Sequence, residues 1–448
     1  MKRNDSNSAT LSSKNSLAKC WGLFLAAAFW ICILLINVFH LFPDIQFRGV
    51  RYSGGDFEQY YATGVAAAEG LWDVAYPDSA YFERGKRPAT APYRPKMQAE
   101  LKRRGADTTT KNIYPPPTAI LFAPLALWDF EKAEMFFLAI MGLSVVVFLV
   151  LLSRECAEVG LPNWLSGIFI AVVGTGLPLV ESVLIGNVTV LIGIACLLAL
   201  RGIRKGKTPQ TIIGFAIAGL TKGFSVSWVP ALFIWKRWRV IVWGASIAAV
   251  LVAIPVALSG GCEVYREYFT DVLPISRGNL YRIGDGNCGL PSFVAWVFKW
   301  PQLPSSVSRC FTAIQLGLVC SAYCAAWKAS KCRENIVAAQ SLAIFVATTV
   351  FQTFSTVCWP HYAVNVIPCL PAAASVALKR PRSFALLGLG FILAWVPIGN
   401  AAKHVTGIYF FGFGRFAGYV ILLIWAMGEL LRLANFFHRG NETKGGER

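Results

Sequence analysis

Long apolar runs recur along the chain, separated by short polar or basic clusters. A membrane helix needs roughly 20 mostly apolar residues to cross about 30 Å of hydrocarbon. Runs of this kind cover residues 21–43, 134–152, 162–180, 183–200, 238–259, 305–327, 334–354, 361–378, 383–400 and 416–434. Two shorter runs, 209–221 and 223–235, flank Lys222 and read as a short helical hairpin. The pattern predicts an all-α polytopic membrane protein with about twelve transmembrane helices. Segments near 115–128 and 290–300 are apolar but short. They carry Pro115, Pro116, Pro117, Pro124 and Pro291, and read as re-entrant or interfacial pieces. The first run is too long for a cleavable signal, and no small-residue cleavage site follows it. No heptads or solenoid repeats appear.

Composition agrees with this reading. The 448 residues are 55% apolar and only 15% charged, against about 25% charged in a soluble domain. That excludes an ordinary cytosolic enzyme and a disordered scaffold. The net charge is nevertheless +18, and its distribution gives it meaning. Basic residues gather at Lys2–Lys19, Arg201–Lys207, Lys236–Arg239, Lys328–Arg333, Lys379–Arg382 and Arg432–Arg448. With twelve spans, every cluster falls on one side, the cytoplasmic side by the positive-inside rule. The organisation that follows is a cytoplasmic tail 1–20, a membrane domain 21–436 and a cytoplasmic tail 437–448. The domain's first extracytoplasmic loop covers 44–133, and the long outer segment carries its own basic residues, which long loops tolerate. No aromatic-interleaved basic stripe supports nucleic-acid binding. The cysteines show no CxxC pair and no zinc spacing. Most read as small buried apolar residues, while Cys262 and Cys288 share an outer loop and are candidates for pairing.

Polar residues that persist at the outer ends of the spans are the candidates for chemistry. The first outer loop opens with Gly54-Gly55-Asp56-Phe57-Glu58-Gln59-Tyr60-Tyr61. The two glycines allow a tight turn. Asp56 then lies near the membrane surface, either as a helix N-cap or as a general base favoured by low-dielectric surroundings. Tyr114-Pro115-Pro116-Pro117 stiffens the path into the next apolar stretch. Glu181 precedes Gly186 and Asn187. Lys222 sits between two short helices, where it either snorkels to headgroups or binds a phosphate. The loop after 238–259 contains Arg266, Arg277, Arg282 and Asn287. His361 opens a late span in Trp359-Pro360-His361-Tyr362, where a lone histidine is most simply a structural residue.

The strings GGDFEQYYATGVAAAEG, YPPPTAILFAPLALW, GNVTVLI, AGLTKGFSVSWVPALFIWKRWR and WPHYAVNVIPCLP run in order over most of residues 20–400. Together they resemble glycosyltransferase family 87, polytopic enzymes of the GT-C superfamily that use polyprenyl-phosphate sugars. The resemblance implies that Asp56 is the catalytic acid of the first outer loop. It assigns Lys222, His361 and Arg282 to the donor phosphate. It leaves Tyr60, Tyr61, Glu181, Asn187 and Asn287 for the acceptor or the sugar. The chain departs from the family at Lys222-Gly223, where Lys-Pro is frequent, and at Gly186-Asn187-Val188, where Gly-Gln-Asn is frequent.

The reaction implied is transfer of mannose, another hexose or arabinofuranose from a polyprenyl-phosphate donor to a glycolipid or polysaccharide acceptor. It would take place at the outer face of the plasma membrane, by inversion and without metal or other cofactor. A polytopic transporter or lipid flippase is the alternative reading. That class favours inverted repeats and polar groups at the bilayer midplane, and no clear internal repeat is visible here.

Overall fold

The computed structural model describes residues 21–32, 54–78, 92–106, 113–222, 224–273, 287–300, 303–355, 358–395 and 411–445. Among them every regular element is helical, and a single antiparallel bridge joins Pro77 to Tyr93. We number the helices in chain order: α1 Trp21–Cys32, α2 Gly54–Ala68, α3 Pro95–Arg103, α4 Pro116–Phe122, α5 Phe130–Glu158, α6 Asn163–Gly174, α7 Leu177–Leu184, α8 Thr189–Lys205 and α9 Thr208–Lys222. The second half holds α10 Val229–Ile234, α11 Trp238–Ser259, α12 Glu263–Glu267, α13 Leu290–Val297, α14 Ser305–Ala329, α15 Ile336–Thr353, α16 Leu370–Ala377, α17 Pro381–Trp395 and α18 Phe411–Gly445.

Six helical stretches among the described residues are long and apolar enough to cross a membrane: α5, α6 with α7, α11, α14, α15, and Gly414–Asn435 of α18. Of the other predicted spans, 183–200, 209–221, 223–235 and 361–378 fall on shorter or interrupted helices, whereas 21–43 and 383–400 extend beyond the described residues. Proline explains the interruptions. The run 361–378 is not one helix: Pro360–Asn365 and Ile367–Cys369 form 3-10 turns before α16. Pro360, Pro368 and Pro371 each remove a backbone donor, so α-helical bonding cannot run through. Pro178 likewise sits in the first turn of α7, just after the break that separates it from α6. α11 lies at the periphery, with Val242, Trp243, Val250 and Leu258 exposed, whereas most of α15 is buried. A peripheral helix this apolar is suited to lipid contact.

The helices carry different chemistry at their two ends. Arg204, in the last turn of α8, makes a two-pronged contact with the buried Glu155 of α5, and Glu158 meets Arg201 and Lys205. Farther along the chain, Glu429 of α18 gathers Arg380, Ser383 and Arg432. The basic clusters are therefore neutralised in part by buried acids. α8 has 17 residues, which at 1.5 Å per residue puts its N-terminus about 25 Å from this ion-paired end. That far end is where Asp56, Asn187 and Thr189 meet.

Helix α2 is seated at the far end by an aromatic layer. Phe57 stacks on Phe137 of α5 at 4.9 Å, and Tyr60 stacks on Phe122 of α4 at 4.6 Å. Tyr61 meets Phe130 edge-on at 5.3 Å. Such pairs contribute about 0.5–1.5 kcal/mol each beyond area burial. Gly64 allows the close approach of α2 to α4, since a Cβ there would lie 2.3 Å from the Phe122 carbonyl oxygen. The end of α3 is then bolted on by Arg104, which reaches Glu69, the Ala126 carbonyl and Glu100.

Candidate functional site

Asp56 is the third residue of α2, so it is not the N-cap that its position after two glycines allowed. The glycines are themselves helical. An acid in the first turn is favoured by the helix dipole. The backbone N–H of Asp56 donates to the Ile185 carbonyl at 3.3 Å. Its carboxylate accepts from Asn187 Nδ2 on one oxygen and from Gln59 Nε2, at 3.1 Å, on the other. The side chain is fixed from both sides yet remains partly exposed.

The turn between α7 and α8 makes this possible. Gly186 adopts φ +67°, a left-handed conformation that costs glycine little. It closes α7 and lets Asn187 N donate to the Ser182 carbonyl at 2.8 Å. Asn187 Oδ1 then accepts from the Thr189 N–H at 3.0 Å and from the Thr189 hydroxyl. With its oxygen thus occupied by donors, the amide must present its NH₂ to Asp56.

Two phenols line the other side. Tyr60 donates to the Tyr114 hydroxyl at 2.9 Å, and Tyr76 donates to the Tyr114 carbonyl at 2.9 Å. Burial, and then the Asp56 carboxylate, push the Tyr60 phenol well above its usual range; burial does the same to Tyr114. Both stay neutral donors at any working pH. Tyr61 turns away: its hydroxyl donates to the Trp128 carbonyl at 2.7 Å.

Glu181 and His361 approach from α7 and from the 3-10 turn that packs on it. His361 Nδ1 lies 3.7 Å from Glu181 Oε1, with His361 2% exposed and Glu181 partly open. This is an ion-pair separation when the imidazole is protonated, and too long for a direct hydrogen bond. Arg415, at the start of α18, is 1% exposed and lies within electrostatic reach of Glu181, Cys288, Cys358 and Tyr419. It stands immediately before the last apolar run, and the sequence reading gives it no role. A single arginine within Phe411-Gly-Phe-Gly-Arg415-Phe416 is nonetheless the signal that marks it. Gln59 and Tyr114 are the other site neighbours that the motif reading leaves without a role.

Asn287 is fully buried and its amide is occupied. Its oxygen accepts from Gly289 N at 3.1 Å and Cys358 N at 2.9 Å, and its nitrogen donates to Ser292 Oγ at 2.7 Å. It fastens two loops together. Cys288 lies against Cys358, while Cys262 is exposed, so the pairing considered for Cys262 is not the one the fold prepares. Lys222 closes α9; its side chain and Arg282 lie outside the described residues. Thr118 Oγ1 donates to the Leu220 carbonyl at 2.7 Å, which holds the last turn of α9 against α4, close behind Tyr114. Beside this junction an apolar cavity of about 500 Å³ is lined by Pro115, Pro117, Leu220, Gly244, Leu251 and Phe269, among others. Among the described residues no three His, Cys, Asp or Glu side chains gather as a metal site would require.

The model of glycosyltransferase family 87 matches residues 112–359, more than half of the chain. No curated protein and no solved structure matches it.

Proposed function

The chain belongs to glycosyltransferase family 87 and is a membrane glycosyltransferase; on that premise we propose that it moves a sugar from a polyprenyl-phosphate donor to an envelope glycolipid or polysaccharide, with Asp56 as general base. The observation that carries this reading is the Asp56 carboxylate, fixed by Asn187 and Gln59 beside two neutral phenols and near an apolar cavity.

In this mechanism an acceptor hydroxyl attacks the anomeric carbon of the donor as Asp56 takes its proton. The bond from that carbon to the phosphate oxygen breaks, and polyprenyl phosphate leaves with an additional negative charge. His361, Lys222 and Arg282 are the cations assigned to that phosphate. Glu181 stands beside His361, 3.7 Å from its Nδ1, and would pair with the imidazole when it carries a proton. Attack opposite the leaving group inverts the anomeric configuration. Tyr60 and Asn187 flank the acceptor side. Tyr61 and Asn287, whose polar groups are engaged elsewhere, act as scaffold. The sugar moved is mannose, another hexose or arabinofuranose, and the site faces the extracytoplasmic side of the plasma membrane. The separation of the site from the ion-paired basic ends by the length of α8 supports that orientation.

The test is purification followed by incubation with a panel of polyprenyl-phosphate sugars, following release of polyprenyl phosphate. Asp56→Asn is expected to abolish transfer while the protein still inserts and elutes as a folded species. Full activity of that variant would remove Asp56 from the role of base.

A further inference from the structure

We propose that Cys288 and Cys358 form a disulfide that locks the loop before α13 to the turn carrying His361. The two sulfurs lie 3.1 Å apart and both residues are fully buried. Closing to a bond of about 2.05 Å takes a movement of about 1 Å. The backbone already holds them in register, since Cys288 N donates to the Cys358 carbonyl at 2.9 Å. Asn287 Oδ1 accepts from Cys358 N at 2.9 Å, a second link between the same two loops. His361 follows Cys358 by one short step of chain, and Asn287 directly precedes Cys288. The bond would therefore fix the position of the imidazole relative to the loop that leads into α13.

The inference rests on the outward orientation proposed above, because disulfides persist in oxidising compartments. The oxidant is a disulfide-bearing thiol oxidoreductase of that compartment. One cysteine thiolate attacks the oxidant's disulfide and releases one of its sulfurs as a thiol. The second cysteine then attacks the mixed disulfide and releases the other. One S–S bond forms in this chain, two thiols form on the oxidant, and the two cysteine protons go to the released thiolates. Burial places the exchange before the loops have closed, and a reductant reaches the bond as the loops open on heating. A second neighbouring pair gives the contrast. Cys196 contacts Cys369, but Cys196 lies inside α8, about 10 Å from its N-terminus. No oxidant reaches that depth, so this pair stays reduced.

Peptide mapping of the full-length membrane protein tests the proposal. Intact cells are first treated with a membrane-impermeant maleimide. Membranes are then denatured without reductant in N-ethylmaleimide, digested and analysed by mass spectrometry. The expected result is a linked Cys288–Cys358 peptide, alkylated Cys196 and Cys369, and an exposed Cys262 labelled from outside. Alkylation of both Cys288 and Cys358 overturns the proposal. Labelling of Cys262 then tells whether the outward orientation fails with it. As an independent readout, the Tm of the purified protein falls by several degrees on reduction. The double variant Cys288→Ser, Cys358→Ser starts at the lower Tm and does not respond to reductant. A reductant-insensitive wild type also overturns the proposal.

Discussion

At the scale of single residues, the arrangement around Asp56 depends on one amide. Asn187 spends its oxygen on Thr189 and its nitrogen on the carboxylate. Asn187→Ala would leave the carboxylate with Gln59 alone and free to rotate. A positioning error of about 1 Å costs on the order of 10²-fold in rate. The expected outcome is a fall of that size in kcat, with the donor KM changed much less. A loss confined to KM would instead make Asn187 a binding residue. The motif GNVTVLI points to Asn187, and GGDFEQYY points to Asp56. The sequence does not reveal that these strings touch, because 131 positions separate the partners. The sequence marks Arg415 only as a lone arginine beside an apolar run; its burial and its neighbours from three distant segments come from the fold.

Elements are legible where periodicity and length alone decide them, as for α5, α11, α14 and α15. They are less legible where proline breaks a hydrophobic run, since hydropathy averages over the break between 360 and 371. The attachment of the outer-loop helices is also hidden, because it depends on packing. Gly64→Val would drive α2 away from the Phe122 carbonyl, and overpacking of this kind costs about 1–3 kcal/mol. The expected variant has a lower Tm and reduced transfer, since Tyr60 leaves Tyr114. Helix α3 itself carries a pH dependence. The hydrogen bond from Arg103 is the chief cause that holds the Glu100 carboxyl at about 2, against 4.5 when unperturbed. A depressed carboxyl stabilises the fold above its unfolded pKa and loses that contribution as pH falls toward the folded one. The Tm difference between wild type and Glu100→Gln should therefore close as pH drops from about 5 to about 2.5. A constant difference would place the stabilisation elsewhere.

The whole molecule separates two kinds of surface along the same helices. One end collects basic residues against Glu155, Glu158 and Glu429; the other holds Asp56, Glu181 and His361. Part of the positive charge visible in the composition is thus structural, and the proposed reaction belongs to the opposite end. Between α4, α9, α10 and α11 the apolar cavity opens beside the junction of α4 with the last turn of α9. A donor whose phosphate lies near Lys222 would lay the first units of its polyprenyl chain there. Gly244 lines this cavity, and nothing lies within 4 Å of an added Cβ, so Gly244→Trp fills the space without a backbone clash. Each ~1.4 kcal/mol of apolar contact that the lipid chain loses there is about ten-fold in affinity. The variant should raise KM by about that factor for a long-chain polyprenyl-phosphate donor, and leave a donor with a chain too short to reach the cavity unaffected. Equal effects on both donors would move the lipid chain to another face of the helices, while unchanged kinetics with both would mean that the cavity takes no part in donor binding.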